Sequence, residues 1–232
     1  MMTLTVDVVS DVICPWCYIG RRRLEKAVAA FAGRERVSVR WHPFQLNPHM
    51  PGEGLNRKEY RTSKFGSWEH SLALDAQVVE AGLAENIHFA FDKIERTPNT
   101  LDAHRLIGLA RTDGVQEAVV EAVFRAYFVE GRDISRTTVL LDVVAGAGLD
   151  RGRAEAVLSG DEGLAAIRAA EEQARRSGVQ GVPYFLINNT VALSGAREPS
   201  AFLAAFEQAG AGTPTASDEG LCTIGPGGEP SC

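Results

Sequence analysis

The spacing of apolar positions divides this chain into three parts. Residues 3–9, TLTVDVV, alternate loosely and are rich in β-branched side chains, which predicts a strand. In CYIGRRRLEKAVAAFAGR the apolar positions Ile19, Leu24, Ala27, Val28 and Phe31 recur at helical spacing. VSVRWHPFQL, from Val37, returns to a strand pattern that Asn47-Pro48 ends, so the opening segment reads as a βαβ unit. Residues 54–177 hold a succession of helical patterns parted by short breakers. NTLDAHRLIGLARTDG sets Leu101, Leu106, Ile107 and Leu109 on one side and stops at Gly114, and VQEAVVEAVFRAYFVEG repeats the arrangement up to Gly131. SRTTVLLDVVAGAG and DEGLAAIRAAEEQARRSG continue it, and no fixed-period repeat links the segments, which favours a compact helical unit over a solenoid. After Gly178 the period shortens again. VPYFLINN is a short apolar strand led by Pro183, TVALSGA is its hairpin partner across Asn188-Asn189, and EPSAFLAAFEQAG is a closing helix with Pro199 near its start.

This order predicts an α/β fold in which residues 1–53 and 178–210 form one unit and residues 54–177 a large helical insertion. Residues 211–232, AGTPTASDEGLCTIGPGGEPSC, are dense in Gly, Pro, Ser and Thr and too poor in apolar residues to fold alone, so they read as a flexible tail that carries two cysteines.

Composition narrows the function classes. The 232 residues, 45% hydrophobic and 23% charged, suit a folded domain with a sizeable core. A formal charge of −6 offers no polycationic surface, which argues against nucleic acid as a partner. MMTLTVDVVSDV lacks a basic leader and carries Asp7 and Asp11 where a secretory signal is apolar, and no later segment is long and apolar enough to span a bilayer. The expectation is a cytoplasmic protein with no membrane partner. Its cysteines, Cys14, Cys17, Cys222 and Cys232, sit at the two ends of the chain, which is not the spacing of a disulfide framework; in a reducing compartment such thiols are more often reactive or metal-binding.

The chemistry concentrates in SDVICPWCYIG. A cysteine at the first turn of a helix faces unpaired backbone N–H groups and the positive end of the helix dipole, and both stabilise a thiolate. Cys14 is placed that way, and Cys17 follows one turn later, within reach of a mixed disulfide formed at Cys14. Pro15 suits the first helical position, which needs no N–H. Zinc is the competing reading, but one CxxC supplies two ligands and only His42 and His49 lie near it, so no metal is expected. Inert buried thiols are the third possibility. Asp11 reads as a cap on the strand-to-helix turn, with a proton acceptor for the thiol as the less favoured role. His104 reads as a helix-surface histidine, and Arg21, Arg22 and Arg23 as a solvated helix face. Trp16 and Tyr18 offer apolar surface near the sulfur.

CPWC after a first strand, the helical insertion, and Val182-Pro183 opening a later strand together resemble the DsbA-like branch of the thioredoxin superfamily. SDVICPWCYIG, TPNTLDAHRL and GVPYFLIN are similar to the FrnE-type proteins of that branch. The resemblance covers residues 3–209 and implies a thioredoxin-like fold with a helical insertion, a dithiol/disulfide site at Cys14 and Cys17, and a cis bond before Pro183. By themselves the residues there favour an ordinary trans proline at a strand start. A cis bond would set the Val182 backbone opposite Cys14, ready to pair with an extended substrate. The implied activity is thiol–disulfide exchange on disulfide- or thiol-containing proteins or small molecules, with no bound cofactor and glutathione as a candidate reductant. The same fold plan serves kappa-class glutathione transferases and hydroxychromene carboxylate isomerases, which typically carry Ser where this chain has Cys14. FrnE-type proteins also resemble this chain in having a second C-terminal cysteine pair, which makes Cys222 and Cys232 candidate accessory redox groups.

Overall fold

The computed structural model describes residues 3–31, 36–211, 223–224 and 230–231. The first strand, β1 (Thr3–Ser10), carries Leu4, Val6 and Val8 fully buried and becomes the centre of a four-stranded sheet. It runs into α1 (Pro15–Phe31), which returns the chain to β2 (Arg36–Pro43), parallel to β1. Then come β3 (Leu55–Asn56), α2 (Arg57–Phe65), α3 (Trp68–Leu83), β4 (Arg96–Thr97), α4 (Leu101–Thr112), α5 (Gln116–Phe128), α6 (Thr137–Gly146), α7 (Arg151–Ser159) and α8 (Leu164–Arg176). The chain re-enters the sheet as the hairpin β5 (Tyr184–Ile187) and β6 (Val191–Ser194), and α9 (Pro199–Ala211) packs back onto it against α1. Two short strands, β7 (Thr223–Ile224) and β8 (Pro230–Ser231), pair with each other. The sheet order is β2-β1-β5-β6, with β5 antiparallel to both neighbours. This is a thioredoxin-like α/β fold with a helical insertion between β2 and β5.

Local chemistry fixes the element ends. Asn56, Ser67 and Asp150 accept from the backbone amides of Glu59, His70 and Arg153, capping α2, α3 and α7. Asn188 and Asn189 both sit at positive φ (47° and 56°) at the centre of a tight turn that the Thr190 amide closes on the Ile187 carbonyl at 3.0 Å, so that Ile187 pairs with Val191. Asn188 then accepts from the Thr5 amide at 2.8 Å, tying the turn to β1. At the exposed edge of the sheet, the Gln116 side chain bonds both the N–H (3.0 Å) and the C=O (3.1 Å) of Trp41, which covers part of the open edge of β2.

One continuous core joins the sheet to the helices. Tyr18 of α1 stacks on Phe124 of α5 at 5.0 Å and meets Phe89 edge-on. The arginines of α1 reinforce this seam, which corrects the expectation that they form a solvated face. Arg21 is only 5% exposed and bonds Glu121 at 2.5 Å, Arg22 and the Tyr18 hydroxyl reach the same carboxylate, and Arg23 bonds Glu85 at 2.8 Å. Glu25, one turn on, also pairs with Arg21 and Arg22, but Glu121 and Glu85 lie 100 and 62 residues away, and the local pattern of charge gives no sign of them. The consequence for function is positional: α1, which carries the cysteines, is clamped to α5.

Candidate functional site

The turn between β1 and α1 is built by two backbone bonds. The Cys14 amide donates to the Asp11 carbonyl at 3.0 Å, and the Cys17 amide donates to the Cys14 carbonyl at 3.0 Å. Cys14 therefore stands directly before Pro15, the first residue of α1, and Cys17 lies one turn further on. Both are free thiols. The Cys14 thiol donates to the carbonyl of Val182 at 3.6 Å, and the Val182–Pro183 bond is cis. These two segments are 168 residues apart in sequence. Their approach depends on Gly20, whose missing Cβ would lie 3.2 Å from Pro183 Cγ and 3.0 Å from Phe185 Cζ.

The two sulfurs have different surroundings. Cys14 lines a pocket of about 120 Å³, with Ile13, Pro15, Leu46, Phe65 and Phe128 as apolar walls. Cys17 is 1% exposed and does not line it. Burial pushes the Cys17 thiol up, well above its ordinary value, and a charge on Cys14 pushes it further; the Ser10 hydroxyl and the Asp11 amide oppose this weakly. The same pocket is lined by Arg57, Arg61 and Lys64, spaced so that α2 turns all three toward one side. Asp75 takes Arg57 at 2.6 Å and Arg61 at 2.7 Å, while Lys64 reaches the Tyr60 hydroxyl at 2.8 Å. Three cations against one carboxylate leave the pocket beside Cys14 electropositive.

Of the residues singled out by sequence, the structure brings Cys14, Cys17, Val182 and Pro183 together. Trp16, between the cysteines, is 40% exposed. Cys222 and Cys232 lie outside the described residues. Asp11 does cap the turn: its carboxylate accepts from the amides of Leu46 (2.7 Å) and, more weakly, Ile13 (3.4 Å). His104 is not on the surface. It is 4% exposed, and its Nε2 lies 3.4 Å from the Asp11 carboxylate. The signal was present in the sequence, since His104 falls one turn before Ile107, which is also buried. Sequence reading passed over Arg57, Arg61 and Lys64. Among the described residues, no three His, Cys, Asp or Glu side chains converge as metal ligands would.

A parallel βα-β unit closed by a ββα unit, with two free thiols at the first turn of the first helix and a cis-proline opposite, defines a thioredoxin-like protein. The chain belongs to the DSBA-like thioredoxin domain family, which matches residues 5–207. A Streptomyces coelicolor protein described as a probable DsbA oxidoreductase is 32% identical, each chain covers 99% of the other, and the TM-score is 0.85. A 2-hydroxychromene-2-carboxylate isomerase shares the fold at 16% identity, with 88% of this chain and 95% of the other covered and a TM-score of 0.68. So does the cytosolic disulfide reductase DsbM of Pseudomonas aeruginosa, solved with GSH, at 20% identity, 89% and 96% coverage and a TM-score of 0.55.

Proposed function

We propose that this chain is a thiol–disulfide oxidoreductase or isomerase of the FrnE type, with Cys14 as nucleophile and Cys17 as resolving thiol. The observation that carries the reading is the asymmetry of the pair: Cys14 borders a pocket, whereas Cys17 is sealed behind it and kept protonated by burial. The Cys14 thiolate attacks a substrate disulfide, forming one S–S bond and releasing one substrate thiol. The Cys17 thiolate then attacks the Cys14 sulfur, the mixed disulfide breaks, and the second substrate thiol leaves. The substrate is reduced and the CPWC pair oxidised. Trp16, Val182 and Pro183 are the proposed substrate contacts, an extended chain pairing with the Val182 backbone. Accessory exchange through Cys222 and Cys232 and a cytoplasmic setting belong to the same reading.

The experiment is substrate trapping. Cys17→Ser should accumulate a mixed disulfide at Cys14, and Cys14→Ser should form none and lose turnover. A Cys14→Ser protein with full activity would instead favour a glutathione-dependent transferase or isomerase. The electropositive pocket keeps glutathione in view, as reductant or as substrate, because a carboxylate-bearing thiol placed at Cys14 would meet Lys64 and Arg61. The GSH in the DsbM structure is in keeping with that.

A further inference from the structure

Resolution of a mixed disulfide requires Cys17 to lose its proton, yet its sulfur is sealed from the pocket that Cys14 lines. Besides Cys14, the Ser10 hydroxyl and the Asp11 amide act on that sulfur in favour of its thiolate, and neither is a base at neutral pH. Ser10 also lines a small cavity shared with His42 and His104, with room for about one water molecule. His104 Nε2 is buried without a hydrogen-bond partner, and a buried nitrogen in that state calls for an explanation. Across 3.4 Å stands the carboxylate of Asp11, itself fully buried and fixed by the Leu46 amide. An imidazolium formed at His104 would be paired on the spot.

We propose that His104, backed by Asp11, receives the Cys17 proton through the Ser10 hydroxyl and the cavity beside it. The proposal rests on Cys17 being the resolving thiol. In the step, the Cys17 S–H bond gives its proton to the relay and its electron pair to the Cys14 sulfur. The bond between Cys14 and the substrate sulfur breaks, and the substrate leaves as a thiolate that is protonated by solvent. The His104 imidazole and the Asp11 carboxylate bond neither sulfur; they are positioning groups that hold the proton. His104 Nε2 makes no hydrogen bond of its own, yet the ring faces both the Asp11 carboxylate and a water-sized space shared with Ser10.

Other charges around His104 are engaged elsewhere. His42 of β2 bonds Asp7 at 2.6 Å, Glu171 of α8 accepts from the Gln45 amide at 2.6 Å, and on α4 itself Arg105 bonds Asp102 at 2.9 Å. Tyr127 of α5 also feels the Asp11 charge, and burial keeps its hydroxyl protonated far above neutrality.

The test separates the two chemical steps with dithiobis-nitrobenzoate in stopped flow. In Cys222→Ser, Cys232→Ser protein, where only the CPWC thiols can react, the first thionitrobenzoate released reports attack by Cys14 and the second reports resolution by Cys17. His104→Gln should leave the first phase and the melting temperature unchanged, slow the second about 100-fold at pH 7, and make it rise with hydroxide across pH 6 to 9. Ser10→Ala, which leaves α4 untouched, should slow the same phase in the same way and stands in if His104→Gln does not fold. A second phase with wild-type rate and pH profile in either folded variant overturns the relay. Failure of the underlying reading looks different: the second thionitrobenzoate would then still leave from Cys17→Ser protein.

Discussion

Gly20 gives a sharp test of how the site is assembled. A Cβ at this position lies 3.0 Å from Phe185 Cζ, 3.2 Å from Pro183 Cγ and 3.6 Å from Ala196 Cα, and Phe185 is fully buried and cannot swing aside. Replacing an interior helical glycine by alanine gains about 1 kcal/mol in helix propensity, and overpacking a core costs about 1–3 kcal/mol, so Gly20→Ala should fall between neutral and about 2 kcal/mol destabilised. Gly20→Val brings two further methyl groups into the same contact without alanine's propensity, and should cost about 2–4 kcal/mol. Because Pro183 is one of the atoms met, the strain should also part Cys14 from the Val182 carbonyl and alter the rate at which Cys14 is alkylated. Urea unfolding of Gly20→Val, Phe185→Leu and the double variant closes a cycle. The smaller side chain at 185 should relieve the clash, giving a coupling of about 1 kcal/mol or more. A Gly20→Val protein within about 0.5 kcal/mol of the parent, or an additive double variant, would refute the claim that this glycine sets the approach of α1 to the cis-proline.

Glu85 should leave a mark on acid stability. Burial raises its carboxyl, but hydrogen bonds and charge from Lys26 and Arg23 outweigh that and hold it below its ordinary value of 4.5, so its contribution is present above that pH and is lost as pH falls through the lowered folded value. Glu85→Gln should therefore cost about 1–2 kcal/mol at pH 7 and progressively less below about pH 4, read by urea unfolding at both pH values; an equal cost at both would be the wrong outcome. Lys64→Met should raise KM for a carboxylate-bearing small disulfide by about 5- to 10-fold at low salt with little change for a neutral one, and equal effects on both would remove the anion-binding role of the pocket. The double Cys222→Ser, Cys232→Ser variant should alter reductase turnover with Cys14 and Cys17 intact, and unchanged turnover would make that pair a spectator.

The parts of the fold that were legible are those coded by near neighbours. The period-2 run at residues 3–9, the helical run after CPWC and the Asn188-Asn189 turn each predict an element that the structure contains, because side-chain alternation, helical spacing and left-handed turn residues act within a few positions. CPWC pointed to the DsbA-like family for the same reason. What escaped depends on contacts between distant segments. His104 shares the helical spacing of Ile107, but its burial comes from α4 packing on β2 beside Asp11, and Arg21 is buried because Glu121 comes to it from α5. Arg57, Arg61 and Lys64 lie on one face of α2, but only folding of the insertion over the turn at Cys14 makes that face part of a pocket.

The central claim is that one thiol acts and the other waits. It is tested most directly by alkylating the reduced protein with iodoacetamide across pH 6 to 10 and locating the label by mass spectrometry. Cys14, which borders the pocket, should be labelled first throughout the range, while Cys17 should resist until the protein is unfolded or the pH is well above the ordinary thiol range. Labelling of Cys17 ahead of Cys14, or at the same rate near neutrality, would contradict the account.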